Sequence, residues 1–162
     1  MSSPFPWVYP YEEDGPRLDS IVLRPVVPIS VVGREVPTPS LALVDSGCEH
    51  VLAAPWVADA ALVDPKDSHR ELNIGLGGDV VKVRFLDLRL RLYAPAGGDD
   101  DFVEWEDEVG FLSQWKPTWP MLVGQVGFMK NFTVTMSRLA QAIAIEPAET
   151  FDSRFGTRIA YS

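Results

Sequence analysis

One cysteine, two histidines and only 14 basic residues among 162 are the shortages that narrow this sequence first. A lone thiol, Cys48, can close no disulfide within the chain, so stability has to come from a packed core. Cys48, His50 and His69 are too few to complete a zinc set, and no metal is expected. Against 14 Lys and Arg stand 23 Asp and Glu, a net charge of −9. That balance opposes binding to phosphate backbones and to anionic lipid surfaces, so neither nucleic acid nor membrane is an expected partner. Apolar runs of about 18 residues, the length that spans a bilayer, are absent. The opening Met1-Ser2-Ser3-Pro4-Phe5-Pro6-Trp7 has neither the basic start nor the apolar core of an export signal, and a cytoplasmic location is expected. There is also no internal repeat of regular period.

What is there belongs to a globular domain. With 46% hydrophobic residues, a chain of this length can bury a sizeable core as a single domain. Its 14 prolines and 12 glycines cut the chain into short pieces joined by turns. Residues 1–20, with Pro4, Pro6, Pro10, Pro16 and the aromatics Trp7, Tyr9 and Tyr11, read as an extended N-terminal arm. From Ile21 the pieces are aliphatic and β-branched: Ile21-Val22-Leu23, then Val26–Val32, then Leu41-Ala42-Leu43-Val44, a sheet-rich pattern. Residues 53–62 differ, being alanine-rich with Pro55 suited to a first helical turn, and predict one short helix.

Across residues 80–93 the apolar phase switches. Val81, Val83 and Phe85 are odd, whereas Leu86, Leu88, Leu90 and Leu92 are even, which predicts a bulge or bend between Phe85 and Leu86. Residues 103–109 set Val103, Trp105 and Val109 against Glu104, Glu106 and Glu108, one apolar face and one acidic. A short amphipathic stretch over 125–132 and strands over 133–136 and 142–145 complete the pattern.

The segment richest in chemistry is Ala42-Leu43-Val44-Asp45-Ser46-Gly47. An apolar strand delivers a carboxylate to a tight turn and limits its solvation; Ser46 can hydrogen-bond into the turn, and Gly47 permits a backbone path that a side chain blocks. Taken alone, the tripeptide equally describes a strand ending in an Asx turn. Two more segments give it context: Ile74-Gly75-Leu76-Gly77-Gly78-Asp79-Val80, a glycine-rich hairpin tip, and Leu122-Val123-Gly124, an apolar pair closed by glycine.

In this order and spacing, over about residues 25–147, the three segments resemble the retropepsin-like aspartic proteases. The resemblance implies an all-β, mainly antiparallel acid protease barrel with one or two short helices, acting as a homodimer on peptide or protein substrates without a cofactor. It implies Asp45 as the catalytic acid with Ser46 and Gly47 as loop partners. Gly75, Leu76, Gly77, Gly78, Asp79 and Val80 then form the substrate-covering flap, and Leu122, Val123 and Gly124 the supporting turn. The domain would run over 21–147, with a C-terminal tail over 148–162 available to a dimer interface. Cys48 departs from the family, which more often has alanine or serine there.

The symmetry follows from the chemistry. One carboxylate takes a proton from water while a second, neutral carboxyl polarises the scissile carbonyl, and two like charges held close share a proton in this way. The chain has no second Asp-Ser/Thr-Gly, so Asp45 has to meet its own two-fold mate.

Other readings compete. Cys48 with His50 offers a thin case for a thiol nucleophile. The acidic run 99–108 lacks the spacing of a calcium loop. Trp105, Trp115, Trp119 and Phe111 fit a core or a subunit contact better than a substrate groove. Gly75-Leu76-Gly77-Gly78 lacks the Gly-Lys-Ser/Thr ending of a phosphate loop. A retropepsin-like module that dimerises or binds peptides without cleaving them is the alternative function, and an assembly subunit held by the N-terminal arm is a third.

Overall fold

The computed structural model describes residues 4–17 and 20–156. Its strands are β1 (Trp7–Pro10), β2 (Glu12–Arg17), β3 (Ser20–Arg24), β4 (Val26–Val32), β5 (Ser40–Val44), β6 (Val51–Ala53), β7 (Arg70–Leu76), β8 (Asp79–Tyr93), β9 (Phe102–Leu112), β10 (Met121–Val123), β11 (Phe132–Ser137) and β12 (Ala142–Pro147). Two short helices, α1 (Pro55–Ala61) and α2 (Glu149–Phe155), accompany them. The class is the expected one: all-β and mainly antiparallel. None of the described helices is long and apolar enough to cross a membrane.

Six strands close on themselves in the order β4-β5-β10-β6-β9-β8, with β8 pairing back to β4. Closure removes the open edges of this sheet, and β7 extends it beyond the ring by pairing with the first half of β8. A second, three-stranded sheet, β1-β12-β11, covers the barrel. The aromatics of the N-terminal segment fill the chain's own core: Trp7 and Tyr9 are buried, and the Tyr9 hydroxyl donates to the Tyr93 carbonyl at 2.7 Å. Burial, reinforced by Asp101, pushes the Tyr9 phenol far above its ordinary ionisation range, so it stays a neutral donor.

The expected helix forms over Pro55–Ala61 with Pro55 in its first turn, and Leu62, at φ 53°, turns left-handed to end it. Val57, Ala58 and Ala61 are its buried residues. The stretch after Gly124 becomes one wide helical turn, Gln125–Met129, in which Met129 N–H reaches back to Gly124 O and Lys130 N–H to Gln125 O.

The phase switch in β8 is real, and of the bulge or bend expected between Phe85 and Leu86, the bulge is absent. Pairing with β9 runs unbroken from Val83↔Leu112 to Tyr93↔Phe102. The strand instead passes between two cores. In its first half, Val81, Val83 and Phe85 pack with Leu52, Leu112 and Leu122 in a small cluster. In its second half, Leu86, Leu88, Leu90 and Leu92 face the main core on the opposite side of the sheet. A regular strand presents alternate residues to opposite faces, so changing the covered face needs no change of register.

On the acidic face of β9, Glu104 and Glu108 are paired across the strands. Arg91 Nε and Arg89 Nη1 donate to the two oxygens of Glu104 at 2.7 and 3.2 Å. Glu108 accepts from Arg70 Nη2 at 2.5 Å and lies 2.8 Å from His69 Nε2, stitching the start of β7 to β9. Arg91, with Arg89 behind it, holds the Glu104 carboxyl below its ordinary 4.5. Partial burial pushes Glu108 up, but Arg70 and His69 outweigh it and leave it lowered too. Stabilisation from carboxyls depressed in this way is complete above their unfolded value and is lost as pH falls through the lower folded ones. Denaturant midpoints are therefore expected to decline as pH drops below about 4.5. The decline should be shallower in a Glu104→Gln/Glu108→Gln double variant, and an equal slope in both proteins would show these pairs to be unimportant.

Candidate active site

Asp45 stands directly after β5, whose Ala42 and Val44 are buried in the main core and anchor the strand end. β10 lies parallel to β5 with Leu122↔Leu43 and Val123↔Val44, and Asp45 N–H donates to Val123 O at 3.1 Å. The loop then closes on itself. Gly47 N–H donates to Asp45 Oδ1 at 2.9 Å and Cys48 N–H to the Asp45 carbonyl at 3.1 Å. This is an Asx turn, and it holds one carboxylate oxygen while no described residue bonds Oδ2.

A second layer of hydrogen bonds braces this loop. Gln125 Nε2 donates to Ser46 O at 2.9 Å, and the backbone N–H groups of Gln125 and Val126 donate to Cys48 O and Glu49 O at 2.9 and 2.8 Å. Gly124 makes that approach sterically feasible. A Cβ on it would sit 2.1 Å from Cys48 O and 2.9 Å from His50 O, both backbone atoms with no freedom to retreat.

Facing the loop is the β7–β8 hairpin. Leu76 pairs with Asp79 across a two-residue tip formed by Gly77 at φ 59° and Gly78 at φ 90°, the conformation that a tight hairpin turn with two left-handed residues demands. Ile74, Gly75 and Leu76 form one wall of a cavity of about 220 Å³; Asp45, Gly47, Cys48, Glu49 and His50 of the loop form the other, with Leu52 and Leu122 completing it.

Of the residues singled out from sequence, Asp45, Gly47, Gly75, Leu76 and Leu122 thus share one cavity. Ser46 is exposed beside it, its carbonyl taken by Gln125. Gly77, Gly78, Asp79 and Val80 sit at the hairpin tip and do not line the cavity; Asp79 is ion-paired with Lys116, which lowers its carboxyl, and Val80 is exposed. Val123 and Gly124 lie behind the loop as its support. Glu49, Leu52 and Ile74 as cavity walls and Gln125 as a brace were not legible, because each depends on contacts with residues distant in sequence.

The competing sites fare as follows. Burial raises the Cys48 thiol, with Asp45 and Glu49 adding to the rise against a hydrogen bond to His50 O, so it favours the protonated form over a thiolate nucleophile. The His50 ring meets the edge of Phe85 at 5.0 Å between centroids. Trp105 and Phe111 belong to the core, with Trp105 Nε1 donating to Gly127 O at 3.0 Å. Trp115 Nε1 donates to Trp119 O at 2.9 Å. A larger hollow of about 450 Å³ behind the hairpin carries Lys66, Lys82 and Arg84, but Asp59, Asp64 and neighbouring Glu71 balance them. His69, Asp87 and Glu108 gather donor atoms within 4.8 Å of one another, yet Arg70 already occupies Glu108 and the group acts as an ion-pair stitch.

No family model matches this sequence, and no curated protein does either. Among solved structures, the chain is similar to the crystal structure of the retroviral protease-like domain of Ddi1 from Leishmania major, at 14% identity and a TM-score of 0.43, over 78% of this chain and 97% of that one.

Proposed function

We propose that this protein is a retropepsin-like aspartic endopeptidase whose active site is completed by a second copy of the chain. One observation carries the reading: the Asp45 carboxylate, held through Oδ1 by Gly47 N–H, stands in a cavity whose facing wall is the glycine-bearing β7–β8 hairpin. A carboxylate fixed at one oxygen and open at the other suits a group that must orient water and exchange a proton. Across a two-fold axis, two Asp45 side chains share one proton. The ionised carboxylate takes a proton from water as the oxygen attacks the scissile carbonyl, and the neutral carboxyl donates its proton to the carbonyl oxygen. The tetrahedral diol then collapses with a proton passed to the departing amine. No covalent intermediate forms, and no cofactor is needed. Gly75 and Leu76 would contact an extended peptide from above, and Leu122 from below.

The deciding experiment combines sedimentation of the purified protein with cleavage of a peptide library, with and without a statine-type transition-state analogue. A dimer whose cleavage the analogue blocks supports the proposal. A strict monomer that cleaves nothing overturns it, and a dimer that binds peptides without cleaving them makes the chain a binding module.

A further inference from the structure

The root of the β7–β8 hairpin holds two carboxylates side by side. Asp87 on β8 stands directly opposite Glu108 on β9, a cross-strand placement of like charges that weakens a sheet unless a cation lies between them. His69, the residue before β7, lies there: its Nε2 is 2.8 Å from Glu108 Oε1 and its Nδ1 3.9 Å from Asp87 Oδ2. Arg70 also reaches Glu108, through Nε and Nη2. Among the described residues, no cation other than His69 lies within 4 Å of Asp87. Further along the same two strands Arg89 is taken by Glu104 and has Glu106 opposite it, and Lys66 and Asp67 precede His69 in the short turn that packs against β8.

Histidine changes charge between about pH 5 and 8, a range in which ordinary carboxylates stay ionised. A neutral ring has a single N–H. When it donates to Glu108, the other nitrogen turns a lone pair toward Asp87, and Asp87 is left without a cation. The imidazolium has two N–H groups, one for each carboxylate. This root also touches both walls of the Asp45 cavity. The Arg70 guanidinium lies 4.2 Å over the Phe85 ring, Phe85 meets the His50 ring at 5.0 Å, and His50 lines the cavity. From Arg70, β7 runs directly to Ile74, Gly75 and Leu76 in the facing wall.

We infer that His69 is a proton-operated clasp: protonated, it ties the root of β7 to β8 and β9 together and holds the hairpin over Asp45; neutral, it releases Asp87 and loosens the hairpin. Its effect on catalysis rests on the peptidase reading and names the regulation of that site. The clasp is fully engaged on the acid side of the histidine range and is lost as pH rises through it.

The test is hydrogen exchange of the amides of residues 70–76 at pH 8 and pH 5.5 in wild type, His69→Gln and His50→Gln. Protection is corrected for the intrinsic exchange rate and referred to the β5 amides of the same protein, so a global change in stability does not move it. In wild type, acidification is expected to raise protection of β7 roughly two- to fivefold, the scale of a partly exposed ion pair. His69→Gln, neutral at both pH values, abolishes the rise, and His50→Gln keeps it. An unchanged wild type, a rise that persists in His69→Gln, or one lost in His50→Gln overturns the assignment.

Peptide cleavage is followed in parallel. The Asp45 pair titrates alike in wild type and His69→Gln, so the ratio of their KM values isolates the clasp. That ratio, variant over wild type, should rise from about one at pH 8 to roughly two- to fivefold at pH 5.5, with kcat little changed. Acid-dependent protection without any cleavage keeps the clasp and removes the peptidase. Cleavage with flat protection removes the clasp alone, and the loss of both removes both.

Discussion

Asp45→Asn is expected to lower peptide cleavage by about 10⁴-fold or more, because the variant has no group that ionises to accept the proton of the attacking water. Fold and association should survive. The bond that shapes the loop runs from Gly47 N–H to Asp45 Oδ1, and an asparagine side-chain oxygen accepts the same bond. Circular dichroism and sedimentation indistinguishable from wild type would show that the loss is chemical. A sharper version ties two chains into one tethered dimer and places Asp45→Asn in only one half. If both carboxyls work as a pair, that single change removes activity as completely as the double one. Half the activity retained would mean that each chain acts alone, and the two-fold mechanism would fall.

Gly124→Ala is expected to be the most damaging small change near the site, although Gly124 is never exposed to substrate in this reading. Its new methyl group would lie 2.1 Å from Cys48 O and 2.6 Å from Cys48 C, and both belong to a loop already pinned by Gln125 and Val126. Relief requires the 45–50 loop and the 124–126 segment to part, breaking hydrogen bonds. The cost should be about 3 kcal/mol or more, a fall in melting temperature of roughly 6–12 °C for a domain of this size. Activity should fall with it, since Asp45 moves with the loop. Gly75→Ala is the control: a Cβ there meets nothing within 4 Å, so stability should scarcely change. Equal melting temperatures for Gly124→Ala and wild type would show that the loop yields easily, and the bracing role would be lost.

The reach of sequence reasoning differs between these two glycines and their surroundings. β4 over Val26–Val32, β5 ending at Val44 and α1 beginning at Pro55 were legible because each rests on local physics: β-branched runs, a turn after an apolar strand, a proline in a first helical turn. The hairpin tip at Gly77-Gly78 was legible for the same reason, since only glycine takes two consecutive left-handed positions without cost. The β8 phase switch was legible as a pattern, but a bulge, one of the two causes expected for it, is absent. One-dimensional periodicity shows that the buried side changes, but a bulge and a second core leave the same trace, and only the unbroken pairing with β9 separates them.

What the sequence determined by itself is therefore the local chemistry: a sheet-rich chain with Asp45 in a glycine-closed turn and no second motif of that kind. What the tertiary structure decided is which distant residues share space with it. It set the Ile74, Gly75 and Leu76 wall opposite Asp45, pressed Gly124 against Cys48, seated Gln125 on Ser46, and placed Glu49 on the cavity rim. These contacts join residues 45–52 to 74–76 and 122–126 through barrel closure. Closure fixes the relative placement of all six strands together, which no periodicity read along one segment can encode.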